Sequence, residues 1–123
     1  MTGQEGEEIA VAFLEKRGYR LVARNVRTTR GEIDAIAYDG EVLVFVEVKA
    51  RSRRAKEQPF SAAASAVDHR KQMRLTRAAM EYLARTETTA TCRFDVVVVD
   101  RHAGGVACEL FQNAFEPSEM LDG

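Results

Sequence analysis

The chain has 123 residues, 46% of them hydrophobic and 30% charged, enough for one core, too few for two, and far from the composition of disordered chains. Its 18 Lys and Arg nearly cancel its 19 Asp and Glu, giving a formal net charge of −1, so bulk charge neither demands nor excludes a polyanionic partner. Two cysteines, Cys92 and Cys108, match no zinc or redox spacing, and no apolar run approaches the roughly 18 residues of a membrane span; the expectation is one cytoplasmic domain over residues 1–123 with free thiols.

From about Gly3 to Arg17, Ile9, Ala10, Val11, Phe13 and Leu14 recur at helical spacing, and Gly18 stands at the stop position. Tyr19 to Val26 and Glu32 to Tyr38 read as strands separated by a turn at Thr28 to Gly31. Asp39-Gly40 then gives a hairpin signal, because a two-residue turn of type I′ needs positive φ at both central positions. The Val-rich run Glu41 to Lys49 follows as the third strand. Arg51 to Phe60 is charged, contains Pro59 and shows no periodicity, so it reads as a loop.

A second helix is expected to start near Ser65 to Val67 and run to about Arg85. Leu75, Ala78, Ala79, Tyr82 and Leu83 form its apolar stripe, with Arg70, Arg74 and Arg77 on another face. Phe94 to Val99 has the nearly continuous apolar character of a strand buried on both faces, opened by Asp95 and closed by Asp100 as turn and edge acids, and a last strand falls near Ala107 to Phe111. The order α, β, β, β, α, β and a final β predicts an α/β fold: a four- to five-stranded mixed sheet flanked by helices.

A turn centred on Asp39-Gly40 pairs Tyr38 with Glu41, Ile36 with Leu43, Asp34 with Phe45 and Glu32 with Glu47. Strand side chains alternate, so Glu32, Asp34, Glu47 and Lys49 then share one face, Asp34 lying diagonal to Glu47. Clustered carboxylates repel and lose hydration. A divalent cation resolves that cost: Mg²⁺ takes oxygen ligands and uses one or two protein carboxylates, leaving positions for water and phosphate oxygens. Asp34 and Glu47 fit the demand, with Lys49 placed to orient water or steady developing negative charge. A solvated, salt-bridged sheet margin is the plainer reading of the same residues. Against it, Glu47 and Lys49 interrupt an otherwise apolar strand, where a residue pattern broken mid-element marks a site.

Arg30-Gly31-Glu32-Ile33-Asp34, then Val44-Phe45-Val46-Glu47-Val48-Lys49, closely resembles the YraN family of bacterial proteins, within the PD-(D/E)xK nucleases and similar to archaeal Holliday-junction resolvases. The likeness extends through Gly6-Glu7, Gly18-Tyr19, Val67 with Lys71-Gln72, Arg93-Phe94-Asp95-Val96 and Asn113-Ala114-Phe115. It implies a restriction-endonuclease-like core, Asp34, Glu47 and the Val48 carbonyl as ligands of Mg²⁺ or Mn²⁺, Lys49 as the catalytic lysine, and Glu7 and Gln72 as further site residues. It also implies a homodimer acting on DNA, branched or damaged DNA included. Two positions depart from the pattern: Ile33 stands where the wider superfamily has proline, and Ser65 where glutamate is expected.

Arg51, Arg53, Arg54 and Lys56 follow directly on Lys49, and Lys71 lies further along the same locally basic stretch. A phosphate backbone drawn to the acids would meet these side chains next. An inactive nucleic-acid-binding module of the same fold is the rival reading.

Overall fold

The computed structural model describes residues 2–52 and 67–116. Helix α1, Gly3–Lys16, starts on a Thr2 cap whose hydroxyl accepts from the Glu5 N–H, and Gly18, at φ +91, lets the chain leave the helix for the sheet. Strands β1 (Arg20–Thr28), β2 (Gly31–Asp39) and β3 (Val42–Ser52) follow, then helix α2 (His69–Thr86) and strands β4 (Cys92–His102) and β5 (Gly105–Phe111). The sheet runs in chain order, β1 to β5. Only the β3–β4 pair is parallel, as the helical crossover between them requires. The α/β class, the mixed sheet and the final strand are as the sequence predicts.

Among the described residues one helix covers each face, which explains the continuous apolar runs of β3 and β4. Leu75, Ala78 and Ala79 of α2 pack on Ile36, Phe45, Val96 and Val98; Ala10, Val11 and Leu14 of α1 pack on Ala37, Val44, Val46 and Val97. Removal of these side chains from water is the main favourable term, roughly 25 cal/mol per Å² of apolar surface.

Three expectations change. The β2–β3 ladder closes with Asp39 opposite Val42 and Tyr38 opposite Leu43. The loop is therefore Gly40-Glu41 rather than Asp39-Gly40. Gly40 has φ +60 and Glu41 is not in the positive region, the pattern of a turn with glycine at its first central position. This shifts the register by two residues, an even number, so the side chains keep their faces. Second, α2 begins at His69, not near residues 65–67: Asp68 adopts the extended cap conformation and its carboxylate accepts from the Lys71 N–H. Third, Asp95 and Asp100 are fully buried rather than edge acids, because β4 runs from Cys92 to His102 and carries both into the sheet interior. Asp95 accepts from the Tyr19 hydroxyl at 2.7 Å and from Arg93 Nε at 2.8 Å, and Asp100 pairs with Arg51 at 3.4 Å.

Candidate functional site

Four elements converge beside Asp34. In β2, Ile33 and Ile36 face α2 while Ala35 faces α1, so the alternation of the strand breaks around Asp34. The β2–β3 ladder stops at Ala35–Val46, one step short of Asp34 and Glu47. Released from the ladder there, the Asp34 carboxylate accepts the Val48 backbone N–H at 2.8 Å. On the adjoining strand Asn25 has φ +49, a conformation asparagine tolerates better than most residues. Its amide donates to Glu7 Oε1 at 2.7 Å and to Glu32 Oε1 at 3.1 Å.

Asn25 therefore ties the α1 acid to the β2 acid. Carboxylate oxygens of Glu7, Glu32 and Asp34 lie within 4.8 Å of one another. Glu32 also faces Arg27 at 3.8 Å, both exposed. Glu47, only 7% exposed, has its Oε1 at 2.6 Å from Lys71 Nζ of α2. A cavity of about 240 Å³ joins these groups, lined by Glu32, Asp34 and Glu47 with Lys71 and Arg74. Burial, reinforced by the neighbouring Glu47 charge and more weakly by Glu7, pushes the Asp34 carboxyl up to about 7, against the pull of the Val48 N–H and Lys71.

Of the sequence-predicted residues, Glu7, Glu32, Asp34 and Glu47 are brought together. Lys49 lies two residues beyond Glu47 in β3, half-buried, and makes no ion pair or hydrogen bond among the described residues. Val48 meets the cluster through its N–H. Gln72 turns away: its amide donates to the Val67 carbonyl at 2.9 Å, closing the first turn of α2. Arg51, expected on a phosphate track, reaches the buried Asp100. Lys71, expected on the same track, sits on Glu47. Arg53, Arg54, Lys56 and Ser65 lie outside the described residues.

Sequence reasoning overlooked Asn25. Its signal was a polar, strand-averse residue within the strand-like run Tyr19 to Val26, where asparagine marks a bulge or a positive φ more often than a regular ladder position.

Fold and site together define a mixed-sheet α/β protein with a half-buried acidic cluster where a strand ladder ends between two helices. A family model described as Uncharacterised protein family UPF0102 matches residues 6–99, and the chain belongs to that family, the YraN family. It is similar to the UPF0102 protein of Symbiobacterium thermophilum, 51% identical over 115 residues spanning 92% of this chain and 94% of that one. The UPF0102 protein of Halorhodospira halophila is 52% identical over 100 residues, 81% of this chain and 78% of its own. That of Nitratidesulfovibrio vulgaris is 39% identical over 123 residues, 99% and 89% of the two chains.

Proposed function

We propose that this protein is a metal-dependent endonuclease that hydrolyses phosphodiester bonds in DNA. The observation that carries the reading is the gathering of Glu7, Glu32 and Asp34 with the buried Glu47 beside them, the half-buried Asp34 carboxyl at its centre pushed up to about 7. A fold that needed only stability has no reason to gather acids at such a cost.

The donor set fits a hard divalent cation such as Mg²⁺ or Mn²⁺: it is all oxygen, with no imidazole or thiolate. Asp34 and Glu47 are the residues that would hold the ion, with Glu7 and Glu32 adding negative charge. When bound, the ion supplies Lewis-acid polarisation of a phosphoryl oxygen and lowers the pKa of a water. Glu47 already holds one positive charge, the Lys71 ammonium. Asn25 fixes Glu7 and Glu32 by donating to both, so the acids are positioned before any ligand arrives. Lys49, with no internal partner among the described residues, is available to steady negative charge on the phosphoryl group or to orient the attacking water.

Linear, nicked and four-way DNA are the substrates to test, with Mn²⁺, Mg²⁺ or chelator, beside Glu47→Ala and Lys49→Ala. The expected result is cleavage by the wild-type chain that needs metal and falls at least about a hundredfold in either variant. Cleavage surviving both substitutions would refute the site. DNA binding without cleavage under every metal would make the chain a binding module. A homodimer belongs to the same proposal, and sedimentation equilibrium at working concentration tests it.

A further inference from the structure

Beside the acidic cluster lies a second cavity of opposite sign. Its volume is about 580 Å³, and Thr29 and Arg30 of the β1–β2 turn face His69, Arg70, Met73, Arg74 and Arg77 of α2 across it. The lining holds four guanidinium groups and no carboxylate. Among the described residues, none of the Arg30, Arg70, Arg74 and Arg77 side chains makes an ion pair or a hydrogen bond. Glu81, further along α2, is already engaged: it accepts from the Thr29 N–H and hydroxyl and from Arg85 at 2.8 Å. Those contacts clamp the turn onto the helix and keep the wall opposite α2 in place.

The two cavities meet at Arg74, which lines both. Its stem lies over Gly31, where a Cβ would come within 3.3 Å of Arg74 Cγ and Cδ. A cationic groove thus adjoins the pocket of Glu32, Asp34 and Glu47 across Arg74. Along α2, Arg70, Arg74 and Arg77 span seven residues, about 10 Å of helix axis at roughly 1.5 Å per residue. DNA carries one charge per roughly 3.4 Å of axis on each strand, so the row matches about three consecutive phosphates. Like charges gathered on both walls of a concave surface repel unless an anion lies between them.

We infer that the groove between the β1–β2 turn and α2 binds the sugar-phosphate backbone of DNA, with Arg30, Arg70, Arg74 and Arg77 as its phosphate contacts, and delivers the strand to the acidic pocket. Planar guanidinium groups suit this role because each can fork onto phosphate oxygens. The contacts carry no base-edge reading, so the groove sets register and affinity rather than sequence preference. This inference takes its choice of polyanion from the proposed nuclease function, but the groove needs no turnover.

The test is fluorescence anisotropy with a short labelled DNA duplex in EDTA, where cleavage cannot occur, across a series of salt concentrations. Arg70→Ala/Arg77→Ala spares Arg74, which packs on Gly31. Arg17→Ala/Arg20→Ala removes the same charge at the far end of α1 and the start of β1. Circular dichroism and thermal melting confirm that both variants fold. The groove variant is expected to bind at least about tenfold more weakly, with the slope of log affinity against log salt reduced by about two, since each lost phosphate contact removes about 0.9. The control is expected to follow the wild type. Equal losses in both variants, or none in the groove variant, would overturn the groove, as would a wild-type chain that binds no duplex. Groove-dependent binding with no cleavage under any metal would leave the groove standing and remove the nuclease.

Discussion

Asp34 stands where strand geometry, burial and charge disagree. It has left the ladder, accepts one N–H from Val48, and sits beside Glu47. Between its ordinary value of 3.8 and about 7, the folded chain keeps a proton that the unfolded chain has released. Protons bound in excess by the native state make stability fall as pH rises, and above 7 the full cost is present. Below 3.8 both states are protonated and the cost vanishes. Asn cannot ionise and can still accept the Val48 N–H. In urea unfolding with chelator, Asp34→Asn is therefore expected to exceed the wild type by on the order of 2–4 kcal/mol at pH 8 and to match it near pH 3.5. A gap of equal size at both pH values would show that Asp34 is not held protonated.

At the scale of elements, strand and helix identities were legible because the periods are clear: Leu75, Ala78, Ala79 and Tyr82 for α2, the valine run for β4. The shared face of Asp34 and Glu47 was legible too, and it survived a wrong register only because the error was two residues. What the sequence could not supply were distances set by tertiary packing. Nothing local says that Lys71 of α2 reaches Glu47 or that Asn25 bridges two acids. The burial of Asp95 and Asp100 was missed because Tyr19, a partner of the first, comes from the end of α1, and Arg51, the partner of the second, from the facing strand β3.

The β1–β2 turn is the element on which site and groove both depend. Gly31 has φ +140, and a Cβ added to it would lie 3.3 Å from Arg74 Cγ and Cδ; a side chain there meets both an unfavourable backbone region and the Arg74 stem. Gly31→Ala is expected to cost about 1–3 kcal/mol in chemical denaturation. Arg74→Ala removes the close neighbour but leaves the backbone strain, so in that background the cost of Gly31→Ala should shrink without disappearing. A double-mutant cycle reads the difference. Strict additivity would show that Arg74 does not lie over Gly31.

For the whole molecule, stability and chemistry occupy different places. Tyr19, Asp39, Arg93, Asp95 and Gln112 form a polar network near the β2–β3 turn, with Arg93 Nη2 at 2.8 Å from both the Tyr19 hydroxyl and Asp39, and Gln112 Nε2 at 2.9 Å from the same hydroxyl. It joins the end of α1, β2, β4 and the segment after β5. None of its buried side-chain polar atoms lacks a partner, and burial pushes the Tyr19 hydroxyl up to about 12, the behaviour of a neutral structural donor rather than of a proton-transfer group. Arg93 lies opposite Val44, three residues along β3 from Glu47, roughly 10 Å at about 3.3 Å per residue. Its loss strands the fully buried Asp95 carboxylate with only the Tyr19 and Asn113 donors. Arg93→Ala is therefore expected to lower stability by about 3 kcal/mol, in the range seen when one member of a buried ion pair is removed. At a temperature where the variant stays folded, the metal and DNA binding proposed above should match that of the wild type. A variant that loses either function while its melting temperature holds would mean that the network acts on the site and is not a staple of the fold.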